Sequence, residues 1–233
     1  MTLPPLLVVT DRHGAARPLT ETVGAAVAGG ARFVWLRDRD LDRDARRDLA
    51  RDLIALLQPV GGRLVVGGDV DLAAKTGAQG VHLTGSAGID GIRAARTALG
   101  SAALIGFSAH SVAEIAAAAA VGADYATLSP IFPTASKPGY GPALGLASLR
   151  AAAAHGVPVF ALGGIDGGQC PRLPRGRGRG CRRDGRRDAW VRSARRHSPV
   201  RRRAHLRAAM PTWPITVSGS PVPPEQPMIR PST

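Results

Sequence analysis

Side chains able to do chemistry recur at one kind of place in this chain of 233 residues: just after a short apolar run. Within the stretch 124–142, the run Tyr125 to Leu128 passes into a loop holding two hydroxyls and an ammonium, Thr134, Ser136 and Lys137. Pro130, Pro133, Pro138 and Pro142 stiffen that loop, because each fixes its own φ and restricts the residue before it. Arg37 and Arg39 follow another run, two positions apart, and on a strand would share a face. With Lys137 they make three cations without an evident acidic partner, which suits a substrate anion and above all a phosphate. The plainer alternative is ion pairing with Asp38 and Asp40 at the surface. Gly163-Gly164 leaves backbone N–H groups uncovered, so a phosphate could approach closely. Ser108 and His110 end a further run, and His110 is the natural general acid–base near neutral pH. His82 lies inside an apolar run and reads as a satisfied interior residue; His155 precedes a turn and reads as surface.

The elements that must position these groups alternate regularly. Strands are predicted at Leu6–Thr10, Arg32–Leu36, Arg63–Val66, Gly80–Leu83, Ala103–Phe107, Tyr125–Leu128 and Val157–Leu162. Helices fall between them at Leu19–Ala28, Leu41–Leu57, Val70–Lys75, Ile89–Leu99, Val112–Val121 and Leu144–Ala154. The clearest amphipathic stripe is Leu41, Ala45, Leu49, Leu53 and Leu56 or Leu57. Continuous apolar strands alternating with helices imply a parallel sheet covered on both faces. Seven units suggest an α/β, TIM-type (β/α)8 barrel, and no Gly-x-Gly-x-x-Gly follows the first strand to favour a dinucleotide fold. In such a barrel Arg37, Arg39, Asp69, Ser108, His110, Thr134, Ser136, Lys137, Gly163 and Gly164 all face one mouth.

The order Val-Val-Thr-Asp (8–11), Leu-Arg-Asp-Arg (36–39), Gly-Val-His-Leu (80–83), Phe-Ser-Ala-His-Ser (107–111), Ser-Pro-Ile-Phe-Pro-Thr-Ala-Ser-Lys (129–137) and Ala-Leu-Gly-Gly-Ile (161–165) resembles the thiamine phosphate synthase superfamily, which includes the TenI-like thiazole tautomerases. The resemblance covers residues 6–167. It implies a barrel enzyme of thiamine biosynthesis that binds a thiazole phosphate, with self-association common among members. The synthase joins a pyrimidine diphosphate to a thiazole phosphate with Mg²⁺ and releases diphosphate. The tautomerase shifts a proton on a thiazole carboxylate phosphate and needs no metal. The family's Mg²⁺ ligands fall on Gly68 and Ala87, neither of which can ligate through a side chain, and Asp69 is a weak substitute. The Arg-x-Arg pair and His110 match the tautomerase branch, so the expectation is a tautomerase-like protein, with the synthase as alternative and an inactive ligand-binding remnant as a third reading. On it, His110 moves the proton, Gly163 and Gly164 meet the phosphate, and Arg37, Arg39, Ser108 and Lys137 hold the carboxylate or frame the pocket.

Composition divides the chain at the same point. The net charge is +14, yet residues 168–233 carry 16 Arg, no Lys and 3 acids, so the first 167 residues are nearly neutral. The high pI therefore says little about the barrel. Neither a signal peptide nor a membrane-length apolar run is evident, so a soluble cytoplasmic protein is expected. Cys170 and Cys181 form no disulfide framework and no common metal pattern. After Gly168 the strand–helix pattern stops, so the barrel is expected to be truncated after its seventh strand and followed by a disordered Arg/Pro-rich tail. Read one base later with freely chosen GC-rich third bases, Cys181 to Ser193 can become Ala-Gly-Val-Met-Gly-Ala-Val-Met-Arg-Gly-Ser. That approaches the missing strand and phosphate loop, and points to a frameshift near Gly168. The rival reading is a basic arm for nucleic acid, against which stand the lack of Lys and of aromatics other than Trp190 and Trp213.

Overall fold

The structure, a computed structural model, describes residues 2–15, 17–134 and 142–165, together with the backbone of Val191–Arg192. The order is β1 (Val8–Val9), α1 (Leu19–Ala28), β2 (Phe33–Leu36), α2 (Arg43–Leu57), β3 (Arg63–Gly67), α3 (Val70–Thr76), β4 (Gly80–Leu83), α4 (Gly88–Leu99), β5 (Leu104–Ala109), α5 (Val112–Ala120), β6 (Tyr125–Leu128), α6 (Gly145–Ala153) and β7 (Val159–Ala161). These seven strands pair in sequence order and all in parallel, curling into an open barrel with the helices outside. The predicted alternation is therefore present element by element.

One addition comes from the tail. Val191–Arg192 forms β8, which lies against Phe160 and Ala161 of β7. It runs antiparallel, whereas an eighth strand entered through a helix would run parallel. The rest of the tail, where disorder was expected, lies outside the described residues, as do both cysteines.

Two apolar layers hold the barrel. Leu3, Leu7, Phe33, Trp35, Val65, Leu104, Tyr125 and Phe160 pack inside it, with Phe33 and Tyr125 ring to ring at 5.2 Å edge-on. Strand residues of the other parity, such as Val34, Leu36, Val81, Ile105 and Ala126, face the helices. This is the period of two along each strand that lets a helix-covered sheet bury both faces.

Sequence periodicity misplaces one helix face. The buried residues of α2 are Arg46, Ala50, Leu53 and Leu57, while Ala45 and Leu56 are exposed and Leu41 and Leu49 half-buried. The face is turned because Arg46 goes inward, donating from Nη2 to the Gly67 carbonyl at 2.6 Å. The helix starts at Arg43 because the Asp42 carboxylate caps it, accepting from Ala45 N–H at 2.9 Å.

Candidate functional site

The C-terminal ends of the strands form a mouth, and two clusters meet there. The first surrounds the ends of β2 and β3. Arg37 and Arg39 follow the last residue of β2 and are exposed. The Arg39 guanidinium lies over Gly68: a Cβ there would sit 3.4 Å from its Cζ. Partial burial of its guanidinium, then repulsion from Arg37 and Arg46, lowers the Arg39 pKa below its ordinary value. Burial also lowers that of Arg46, with Asp69 and Asp38 opposing.

The anticipated alternative, pairing of Arg37 and Arg39 with Asp38 and Asp40, does not occur. Buried Asp38 accepts from the Thr10 hydroxyl and from Arg12 N–H at 2.7 Å. Asp40 is held by Arg12 and His13, which keep its carboxyl at about 2, the His13 hydrogen bond being the largest cause. Among the described residues neither Arg37 nor Arg39 has an ion pair. Thr10 also accepts from Arg37 N–H at 2.9 Å, so it ties the ends of β1 and β2 together and fixes where the arginines begin.

Asp69 is already committed. One carboxylate oxygen caps α3, accepting from Leu72 N–H at 2.8 Å, and the other lies 3.6 Å from Arg46 Nη1. Gly68 and Ala87 offer no side-chain oxygen, and no group of three His, Cys, Asp or Glu that could hold a metal occurs among the described residues. A Mg²⁺ ion demands several hard oxygen ligands. This donor set does not fit one held by protein side chains.

The second cluster is built on β4 to β6. His82 is fully buried, as expected for an interior histidine. Its Nδ1 is 2.9 Å from the Tyr125 hydroxyl and its Nε2 is 3.0 Å from the Ser108 hydroxyl. Trp35 stacks on its ring at 3.8 Å. Burial, and secondarily the charge of Arg39, pulls the His82 pKa down to about 3, so the ring is neutral; burial pushes the Tyr125 phenol up. Ser108 lies within β5 and is half-buried.

His110 follows β5 and is anchored twice. Its backbone N–H donates to Glu114 Oε2 at 2.8 Å, while Ser111 caps α5 by accepting from Glu114 N–H at 3.1 Å. Its ring lies 2.9 Å, at Nδ1, from the Ser129 carbonyl. A carbonyl only accepts, so Nδ1 carries the hydrogen and, in the neutral ring, Nε2 carries the lone pair. The loop after β4 passes beside it, where a Cβ on Gly85 would sit 4.0 Å from that Nε2.

Gly163 and Gly164 follow β7 with φ of +85° and +65°. They also permit a close approach of the loop after β6: a Cβ on Gly164 would sit 2.3 Å from the Pro133 carbonyl oxygen. The pair thus has a packing cause of its own. Neither N–H donates a backbone hydrogen bond among the described residues. Thr134 is half-buried and has an interaction partner of its own. Ser136 and Lys137 lie outside the described residues.

Arg39 acts on His82, His82 meets Ser108, and Ser108 and His110 share the end of β5. Sequence reasoning missed four contributors. Arg46 was hidden in a charged helix, and Trp35 and Tyr125 looked like ordinary strand residues. Glu114 had a readable signal, the capping box Ser111-Val112-Ala113-Glu114.

The chain matches the family model described as thiamine monophosphate synthase over residues 6–177. It belongs to that family. A relative from Geobacter sulfurreducens is 44% identical over 170 residues, covering 71% of this chain and 78% of its own. The thiamine-phosphate synthase of Azorhizobium caulinodans is 41% identical over 162 residues, covering 69% and 76%. Among solved structures, the thiamine phosphate pyrophosphorylase from Pyrococcus furiosus superposes with a TM-score of 0.63 at 28% identity, over 72% of this chain and 79% of that one. The family places the chain in thiamine biosynthesis, with small-molecule substrates. No described helix is long and apolar enough to cross a membrane.

Proposed function

We propose that this family member is a thiamine-phosphate synthase, joining a hydroxymethylpyrimidine diphosphate to a thiazole phosphate. The bond from the pyrimidine methylene to the diphosphate oxygen breaks, a bond from that methylene to the thiazole nitrogen forms, and diphosphate leaves with the electron pair. The observation that carries this reading is the Arg39 guanidinium lying over Gly68 without an ion pair among the described residues, within reach of the charges of Arg37 and of Arg46, whose own counter-charge is Asp69. Such a rim stabilises the charge that builds on a departing diphosphate. Relatives at 41% identity that carry the synthase name also favour this reading over the tautomerase expected from the sequence. On this reading Gly163 and Gly164 N–H groups hold the phosphate of the thiazole, and Thr134, Ser136 and Lys137 are expected to bind the same anion. A cytoplasmic location belongs to the same reading.

His110 favours the second reading, the thiazole tautomerase. With Nδ1–H committed to Ser129, its Nε2 lone pair suits it to take a ring proton from a thiazole carboxylate phosphate and return it elsewhere on the ring. One pair of assays separates the two. The purified chain is given both synthase substrates, with Mg²⁺ and with a chelator, and release of diphosphate and thiamine phosphate is followed. It is separately given the thiazole carboxylate phosphate in D₂O, and ring-proton exchange is followed by NMR. Diphosphate release supports the synthase; exchange alone overturns it in favour of the tautomerase.

We infer further that the chain divides into a barrel, 1–167, and a tail, 168–233, that arose by a frame change near Gly168. The family match stops at residue 177, well short of the last residue. The nucleotide sequence across codons 160–215 tests this: a frame that gives no Val-Met-Gly-Ala-Val-Met when moved by one base overturns it.

A further inference from the structure

Three hydrogen-bonding side chains stand in line beneath the mouth. Tyr125 Oη is 2.9 Å from His82 Nδ1, and His82 Nε2 is 3.0 Å from Ser108 Oγ, with Thr127 Oγ1 a longer contact at 3.4 Å. Distances alone leave two directions open, since hydroxyls and a neutral imidazole can each donate or accept. Counting hydrogens removes one. Tyr125 is fully buried, and a buried O–H must be donated. Among the described residues His82 Nδ1 is its partner. Tyr125 therefore donates to Nδ1, which uses that lone pair.

The imidazole is neutral, so its one hydrogen sits on Nε2. Nε2–H donates to Ser108 Oγ. Having accepted from below, Ser108 has its own hydrogen to give in another direction, and it stands half-buried at the end of β5, where the mouth opens. Trp35 packs against the ring at 3.8 Å between centroids, tilted by 34°, and limits its rotation. Gly106 makes the room: a Cβ there would lie 2.3 Å from Tyr125 Oη and 2.5 Å from His82 Nδ1.

We propose that Tyr125, His82 and Ser108 form a relay of fixed direction that turns the Ser108 hydroxyl hydrogen toward the ligand, favouring an oxygen acceptor such as a carboxylate or phosphate. Tyr125 and His82 are positioning residues, acting through Ser108. The donor role rests on the mouth being the substrate site, as proposed above; the direction of the relay does not.

The full chain labelled with ¹⁵N-histidine tests the direction. Its ring-nitrogen shifts should show His82 as the Nε2–H tautomer, unchanged from pH 5 to 8, with His82→Gln or Tyr125→Phe assigning the signals. An Nδ1–H or doubly protonated ring overturns the relay. The donor role is read from binding of thiazole phosphate with and without a ring carboxylate. Ser108→Ala should weaken the oxyanion contact by about ten- to a hundredfold, Ser108→Thr should restore it, and Tyr125→Phe should lose part of it. Unchanged binding in Ser108→Ala, or no binding of either probe by the wild-type chain, overturns the donor role. Binding without turnover in either assay overturns the proposed function alone.

Discussion

Burying a neutral histidine makes the barrel sensitive to mild acid, and the size of the effect follows from His82. Its folded pKa is lowered from 6.5 to about 3, first by burial and then by Arg39. The native state thus refuses a proton that the unfolded chain accepts. His82 adds its full stability above 6.5, and that contribution drains as pH falls toward about 3. Where only the unfolded chain binds the proton, each pH unit costs about 1.4 kcal/mol. From pH 7.5 to 4.5 the loss comes to about 3 kcal/mol, most of it below 6.5. Most carboxylates titrate below this window. With a urea slope of about 2 kcal/mol/M, the unfolding midpoint should fall by about 1–2 M across it. His82→Gln, whose amide keeps a donor and an acceptor but does not titrate, should remove most of that dependence whatever it does to stability at pH 7.5. Urea melts at half-unit pH steps supply the comparison. An equal slope in the variant, or a wild-type midpoint flat to pH 4.5, would refute the reasoning.

Three further outcomes are expected. Arg39→Ala should weaken binding of inorganic diphosphate by about tenfold, with a shallower salt dependence than wild type by calorimetric titration; unchanged affinity would remove Arg39 from the anion site. Glu114→Ala strips the carboxylate from the His110 N–H and should cost about 1 kcal/mol, read as a lower thermal midpoint. Gly106→Ala should cost about 1–3 kcal/mol by overpacking the barrel interior, and a wild-type melting curve would show that the interior yields there.

The strands were legible because they are buried on both faces, and such strands read as unbroken apolar runs: Val34, Trp35 and Leu36 need no context to be recognised. The mouth was legible because polar residues stop those runs in register around a barrel. What escaped depends on long-range contact. Nothing local in α2 says that Arg46 turns inward, since its partners, the Gly67 carbonyl and Asp69, come from the next strand and the loop after it. Tyr125 gave no sign that its hydroxyl reaches a histidine 43 residues earlier. Arg37 and Arg39 have no ion pair among the described residues for a reason that only the fold supplies: Thr10, Arg12 and His13 claim the two aspartates between and beside them.

The space that Gly106 leaves for Tyr125 and His82 also bears on how this barrel can change by descent. A methyl group gained at 106 displaces both neighbours, and a smaller residue at 125 opens a void and leaves His82 Nδ1 without a donor. Contacting residues of this kind do not contribute independently. Positions 82, 106 and 125 therefore behave as one heritable character rather than three. A lineage that gave up the tyrosine would be released to take alanine at 106, and would surrender the direction of the Ser108 hydroxyl in the same step.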